Sequence, residues 1–561
     1  MSLVENSPGE TTLASERVLT RLFPGLSSAT KGEPAKLSIT VTAVMAVISA
    51  ALVPSRMLLS TGPPDDSSVF AYIGWAMHHG LMPYRDLWDH KGPLLYYLQF
   101  AGVSLHPSST LGIGLLELLA WSLAFLLLYR VIASFSSYRM SLGIAFLSCV
   151  FATRFGGGGN LTESWALLPL AAAHYASWRW SQRPSQKWCA AVLGFSFASI
   201  FWLRPNMTLY PLLAIVIMLF NSQRREGLGV AARQLVFAGV AAVGLSLLIL
   251  APLYRWGVFH DFVGAYFAYN AAYSGALSLS MRLLHTQQLL TLLFAAGIAI
   301  LGTAGWIVAL KDRPSENSTI SGIPHSYKQT LILSLPLEIA AVSLSGRDYS
   351  HYLLPLLPTF SILAAWFLHE LEGFAQPNMA RRTLAFALLM GFCPFALASY
   401  VGGASQSLES PAPELAQIIR FIQHATGPKD KITVIGGAEA AYITYSTHRL
   451  PASRFVYQYS LADSANPVAG EQRREFLCDL VSNRPAVIVS GNVLLGVLCA
   501  SVAECNERND SPPVSDFGYD SRMIPHLLRG MITSQYRPLD DPRFGKTHLY
   551  VRNDIAIPAQ W

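Results

Sequence analysis

The sequence predicts a polytopic α-helical membrane protein with a small C-terminal α/β domain. Three observations lead there. Of 561 residues, 52% are apolar and only 13% charged, where a soluble domain carries about 25% charged residues. The shortage lies in the middle of the chain, since residues 1–36 and 404–561 are ordinary in polarity. Basic residues also divide unevenly between alternate connections, as they do around membrane spans. The net charge of +6 is modest, and no motif for nucleic acid is present.

Residues 1–36 are polar, contain Gly9, Pro24, Gly32 and Pro34, and lack the apolar core of a signal peptide. They are expected to form a disordered cytoplasmic tail. About eleven apolar runs then approach the ~20 residues that a helix needs to cross a bilayer. They lie near 38–57, 111–130, 140–154, 164–179, 187–203, 207–221, 233–252, 286–310, 328–345, 352–369 and 383–402. The connections assigned to the inside hold Arg130, Arg139, Arg179, Arg183, Lys187, Arg224, Arg225, Arg233, Lys311, Arg313, Lys328, Arg381 and Arg382. Those assigned to the outside hold Arg56, Arg85, Lys91, Arg154, Arg204, Arg255, Arg282 and Arg347. The excess of basic charge marks the cytoplasmic side. The N-terminus is therefore expected inside and, with an odd number of spans, the C-terminal domain outside.

Leu94–Leu105 is too short to span and follows Pro93, a residue suited to a helix start. It is expected to lie at the outer interface, together with the helix-like VFAYIGWAMHH and the aromatic stretch Tyr254–Tyr273. Beyond residue 404, the amphipathic ELAQIIRFIQHA and the strand-like KITVIGG, AVIVSG and HLYVRN suggest a largely parallel sheet with helices. Cys149, Cys189 and Cys393 read as small buried hydrophobes. Cys499 and Cys505 are spaced to pair across a short loop if that domain is external.

The chemistry-bearing stretch runs from Pro64 to Pro93, PDDSSVFAYIGWAMHHGLMPYRDLWDHKGP. Adjacent carboxylates, Asp65 and Asp66, next to a membrane are costly unless partnered. A carboxylate in a partly dry site can take a proton from a hydroxyl, and its neighbour can raise its proton affinity or share a metal ion. The alternative is an Asp pair capping the helix that begins at Ser67. Asp89, His90 and Lys91 follow in the same loop. Glu163, in GGGGNLTESW, is either a second carboxylate for acceptor or metal, or an acid at a helix N-terminus. The four glycines before it read as a flexible loop. Arg204 and Arg347 sit at outer span ends, as phosphate ligands or as snorkelling arginines. His351 neighbours Arg347 in SGRDYSHY. His78 and His79 read as interfacial residues, and no nucleotide-binding fold is indicated.

In its order of parts the chain resembles the GT-C superfamily of membrane glycosyltransferases, including the protein O-mannosyltransferases, the aminoarabinose transferases and bacterial family 39-like enzymes. The resemblance rests on a first span, an external loop opening with DD, the run YRDLWDHKGPLLYYL and the late SGRDYSHYLLPLLP, across residues 38–402. It departs at Gly92-Pro93, where the family motif has two prolines. The resemblance implies a transmembrane catalytic domain over 37–403, with catalytic loop 58–110, and an extracytoplasmic domain over 404–561. It implies an inverting transferase of a bacterial plasma membrane that moves a sugar from a polyprenyl-phosphate carrier. The sugar would go to a hydroxyl of an envelope glycan, glycolipid or protein.

On that pattern Asp65 would be the general base, and Asp66 would support it or hold a divalent ion. Asp89 and Glu163 would support acceptor or metal, with a Mg2+, Mn2+ or Ca2+ site conceivable at Asp65, Asp66 and Glu163. Lys91, His90, Arg204, Arg347 and His351 would bind the donor phosphate. No nucleotide cofactor and no nucleic acid partner are implied, while membrane lipids are. Two other classes stay open: a glycolipid flippase, which would place its charges near mid-membrane, and a non-catalytic scaffold recruiting envelope enzymes.

Overall fold

The computed structural model describes residues 56–58 and 65–558, apart from 185, 276–277, 296, 312–322, 345, 374–378, 409–411, 463–465, 467, 491–530 and 546. The expected cytoplasmic tail, nearly all of the first span and the Cys499–Cys505 pair lie outside the described residues. Two helices come first, α1 (Asp66–His78) and α2 (Pro93–Leu105). Helices α3 (Leu111–Ile132), α4 (Tyr138–Phe155), α5 (Thr162–Gln182), α6 (Lys187–Phe201), α7 (Leu209–Glu226) and α8 (Leu228–Arg255) follow. The aromatic stretch after α8 is a short helix Phe259–Val263, a π-helix Gly264–Tyr269 and a helix Asn270–Gly275. Then come α9 (Leu279–Phe294), α10 (Ile298–Lys311), α11 (His325–Ser343), a 3-10 segment Ser350–Leu356, α12 (Leu357–Gly373) and α13 (Met379–Leu408).

By length and hydropathy, three described helical segments are able to cross a membrane: Leu111–Ile132, Leu228–Arg255 and Ser350–Glu372. The shorter runs foreseen as spans are helical too, but fall below that length or hydropathy. The expected span 286–310 is instead two helices, α9 and α10, bent by 98°. Gly297 between them has φ +48°, a left-handed conformation that no straight helix contains. Burial separates the long helices by role. The apolar window of α8 is only 11% buried, and Leu235, Val236, Val240, Val243, Leu247 and Leu248 are exposed along it. Such a face suits hydrocarbon. The Ser350–Glu372 window is 89% buried and forms the centre of the bundle.

The C-terminal segment opens with α14 (Pro413–Ala425), which buries Ile418, Phe421 and Ile422. Strands β1 (Lys431–Ile435), β2 (Leu450–Pro451) and β3 (Val487–Ser490) alternate with α15 (Ala438–Thr447) and α16 (Ala469–Asn483), and β4 (Tyr536–Leu539) and β5 (His548–Arg552) close the chain. The sheet order is β2-β1-β3-β5-β4. It is mixed rather than largely parallel: β1 runs parallel to β2 and β3, whereas β5 is antiparallel to β3 and β4. A connection of eight residues joins β4 to β5, too short for a parallel crossover. One apolar cluster runs from Tyr72, Trp75 and Trp88 into Ile435, Ala441, Phe455 and Tyr457, so the sheet domain packs directly on the loop after the first span.

Two sequence features take their meaning from packing. The four glycines are a built turn, not a flexible loop. Gly157, Gly158 and Gly159 have φ of +58°, +88° and +93°, and Asn160 follows at +57°. The turn delivers Asn160 to a fully buried position. There its amide pairs with Gln99 (2.6 and 3.0 Å) and accepts from Trp165 Nε1 at 3.0 Å, and its backbone N–H donates to Glu117. One residue thus ties α2, α3 and α5 together, its side chain holding α2 and α5 and its backbone N–H holding α3.

Gly92 explains the departure from a double proline. A Cβ there would lie 1.9 Å from the Trp202 carbonyl oxygen, and the Gly92 N–H donates to Leu203 O at 3.3 Å. The clash is with backbone, which cannot swing aside. Gly92→Ala should lower stability by about 1–3 kcal/mol, read as a fall in thermal midpoint of the detergent-solubilised protein.

Candidate functional site

Asp65 is the N-cap of α1. Its Oδ1 accepts from the Ser67 N–H at 2.9 Å and from the Ser67 hydroxyl at 2.6 Å. Ser67 Oγ also reaches Gly159 O at 3.1 Å, so the glycine turn braces the cap. The residue is thus the helix cap that the capping alternative foresaw: the cap fixes Oδ1 and aims the carboxylate, leaving Oδ2 for another group. Burial raises the Asp65 carboxyl to about 6, against the Ser67 hydrogen bonds, while the Asp66 charge adds to the rise and the Arg56 charge opposes it. Asp66 stands in the field of Lys91, His90 and His351 on one hand and of Tyr457 and Tyr459 on the other.

Asp89 is 1% exposed and saturated. Tyr457 donates to its Oδ1 at 2.5 Å, Tyr96 to its Oδ2 at 2.6 Å, and the His90 backbone N–H to Oδ1 at 2.8 Å. Burial alone would raise this carboxyl, but the His90 ring, 3.3 Å from Oδ1 through Nδ1, then the Lys91 charge and the Tyr457 hydroxyl hold it at about 2. The arrangement joins the loop to the sheet domain, as do Trp88 N–H to Arg454 O (2.8 Å) and Tyr72 Oη to Arg449 O (3.0 Å). Removing one hydrogen bond to a buried carboxylate costs about 1.5–3 kcal/mol. Tyr457→Phe should lower the thermal midpoint of the detergent-solubilised protein accordingly.

The cations come from three places. Lys91 Nζ lies 3.3 Å from His90 Nε2. Burial works against the Lys91 charge, but the Asp66 and Asp89 carboxylates outweigh it and hold the ammonium above the usual lysine range. Burial and the Lys91 charge push His90 down, which favours the neutral ring. Arg204, in the turn after α6, ion-pairs with Glu163 and lies 3.9 Å over the Tyr352 ring. Arg347 lies 4.9 Å over the Tyr273 ring.

A cavity of about 860 Å³ gathers eight of the nine residues singled out in sequence: Asp65, Asp66, Asp89, His90, Lys91, Arg204, Arg347 and His351. Glu163 does not line it; it stands behind Arg204, with Thr162 Oγ1 donating to it at 2.8 Å. This bears on the metal expectation. Asp65, Asp66 and Glu163 do not gather: among the described residues no three His, Cys, Asp or Glu side chains form a group able to hold a metal ion. Glu163 is paired with Arg204 instead.

Sequence reading missed Tyr269, Asn270, Tyr273, Tyr349, Glu439 and Tyr459, all in the cavity wall. The first three belong to the aromatic stretch expected at the outer interface, and the clustering of tyrosines there was the available signal. Glu439 and Tyr459 belong to the sheet domain, and nothing in their local sequence marks them.

The helical bundle with its loop helices and cavity has counterparts among solved structures. ArnT from Cupriavidus metallidurans in the apo state matches with a TM-score of 0.53 at 13% identity, covering 82% of this chain and 93% of that one. The same protein bound to undecaprenyl phosphate gives 0.50 at 16% identity, with the same coverage. An oligosaccharyltransferase from Archaeoglobus fulgidus, complexed with Zn and sulfate, gives 0.48 at 13% identity over 82% of this chain and 68% of that one. No curated protein matches the sequence. The chain thus shares the fold of ArnT, and three of its described helical segments are long and apolar enough to cross a membrane. It belongs to the family described as competence-induced protein Ccs4 N-terminal domain, which matches residues 31–391.

Proposed function

We propose that the chain is an inverting glycosyltransferase that takes a sugar from a polyprenyl-phosphate carrier and passes it to a hydroxyl of an envelope glycan, glycolipid or protein. The single observation that carries this reading is the joint placement of a capped, proton-attracting carboxylate and three cationic side chains around one cavity. The fold shared with ArnT, which has been seen with undecaprenyl phosphate bound, supports it. In this reading Asp65 Oδ2 takes the proton of the acceptor alcohol. The alcohol oxygen attacks the anomeric carbon, and the bond from that carbon to the carrier phosphate breaks. Lys91, Arg204 and Arg347 stabilise the departing phosphate, so it leaves without prior protonation. Asp66 orients the cations, while Glu163, behind Arg204, and Asp89, in the cavity wall, act as positioning residues.

The reading assigns residues 37–403 to the catalytic membrane domain and the loop 58–110 to its site. It puts 404–561 outside the plasma membrane and the N-terminus in the cytoplasm. The exposed apolar face of α8 suits the hydrocarbon in which a carrier chain would lie. The test is a transfer assay with purified protein, synthetic undecaprenyl-phosphate sugars and an envelope extract. Label should move from carrier to acceptor. Label that stays on the carrier but crosses the bilayer of a proteoliposome would favour a flippase instead.

A further inference from the structure

The aromatic stretch after α8 puts into the cavity a polar residue that the reaction steps above do not use. The chain there widens into the π-helix Gly264–Tyr269 and returns to an α-helix at Asn270. The wider turn rotates the residues that follow it, and such turns recur at functional sites. Here they face the cavity, through Tyr269, Asn270 and Tyr273. Tyr273, one turn beyond Asn270, stands in the field of Arg347, Lys91 and Arg204, so this wall looks onto the cations.

Asn270 is half-buried, and its amide has one chemically sensible orientation. Nδ2 donates to His90 O at 2.8 Å and to Tyr266 O at 2.8 Å. Both partners are carbonyl oxygens, which only accept, so the nitrogen has to face them and the amide cannot be turned over. Both N–H groups are thereby taken. Among the described residues nothing donates to Oδ1, so Asn270 offers the cavity a bare hydrogen-bond acceptor. The loop does not rely on this residue to place Lys91. Tyr84 Oη donates to Lys91 O at 2.9 Å, and the Lys91 N–H donates to Tyr96 Oη at 3.2 Å.

The surroundings select the group that Oδ1 accepts from. Asn270 is bonded to the carbonyl of His90, the residue before Lys91, so a phosphate on Lys91 brings whatever it carries beside this amide. A sugar ammonium would enter a cavity wall that already holds Lys91, Arg204 and Arg347, with the Asp66 charge already matched by Lys91. A sugar carboxylate would meet the Oδ1 lone pairs and compete with the phosphate for the same cations. A hydroxyl does neither. We propose that Asn270 reads the donor sugar, its Oδ1 accepting from a hydroxyl of a neutral sugar whose carrier phosphate lies on Lys91 and the neighbouring guanidinium groups. This inference rests on the proposed transferase reading, and its test separates the two.

The full chain in nanodiscs is assayed by competition against labelled undecaprenyl phosphate. The competitors are undecaprenyl phosphate itself and the same carrier bearing glucose, galactose, mannose, 4-amino-4-deoxyarabinose or glucuronate. At least one neutral sugar should bind the wild type about tenfold tighter than the bare carrier, the scale of one net hydrogen bond; the two charged sugars should show no gain. Asn270→Ala should lose the gain and still bind the bare carrier within twofold of the wild type. One monodeoxy analogue of the preferred sugar should bind the wild type as weakly as the bare carrier does, and should bind Asn270→Ala equally well. A gain that survives in Asn270→Ala overturns the proposal, as does the lack of gain for every neutral sugar or tightest binding of the amino sugar. Should Asn270→Ala fail to fold, the deoxy series on the wild type decides: equal binding of all its members overturns the proposal, and loss at one hydroxyl upholds it. A wild type that shows the gain but transfers sugar to no acceptor sinks the transferase reading and leaves this site standing. Transfer with a gain that Asn270→Ala retains does the reverse.

Discussion

Asp65→Asn is expected to lower the rate of sugar transfer by about 10²–10⁴-fold, the range for loss of a positioned general base, with the KM for the carrier changed only a few-fold. The amide is nearly isosteric and its oxygen can still accept from Ser67, so the cap and α1 survive. What disappears is the proton acceptor. The same residue sets a pH dependence. Burial raises the Asp65 carboxyl to about 6, and the base works only when ionised. The rate should therefore be level above pH 7 and fall about tenfold per unit below 6. Arg56 pulls this carboxyl down, so Arg56→Gln should move the acid limb to higher pH. A pH–rate profile of both proteins reads the direction, and a limb that stays in place in Arg56→Gln removes Arg56 from the set.

Arg204 carries the second large effect. Arg204→Gln leaves Glu163, 1% exposed, as a buried carboxylate without its cation. Breaking a buried pair on one side costs about 3–5 kcal/mol, whereas replacing both partners with neutral groups of similar size is often close to neutral. The single variant should be strongly destabilised. The double variant Arg204→Gln with Glu163→Gln should regain most of the thermal midpoint. Activity should not follow stability: with the guanidinium gone, transfer stays depressed at least a hundredfold in the double variant. Thermal unfolding and initial rates on the four proteins make the cycle. Recovery of both together would mean that Arg204 is a structural cation only.

These outcomes concern residues that stood out in the sequence before their neighbours were known. Asp65, Asp66, Lys91, Arg204 and Arg347 stood out because isolated charges at the edge of apolar runs need a reason. Hydropathy also placed most helices, because a helix in lipid writes itself as a long apolar run. Tertiary contact carried the rest. Glu163 looked free to join a carboxylate group, and only the fold reveals that Arg204 claims it. Asp89 looked like one more acid in the loop until Tyr96 and Tyr457, the latter 368 positions away, closed around it. The bend at Gly297 was hidden because its flanks are as apolar as those of an intact span. Glu439 and Tyr459 carry no local mark at all; the packing of the sheet domain on the loop brings them to the cavity.

Phosphorus NMR of the carrier tests the central claim most directly. Supplied with an undecaprenyl-phosphate sugar and an acceptor alcohol, the wild-type protein should convert the carrier's phosphodiester signal to that of a phosphomonoester, at a rate that depends on the acceptor, and Asp65→Asn should leave the diester intact. A carrier that keeps its sugar with the wild type, or loses it equally fast with Asp65→Asn, would contradict the assignment.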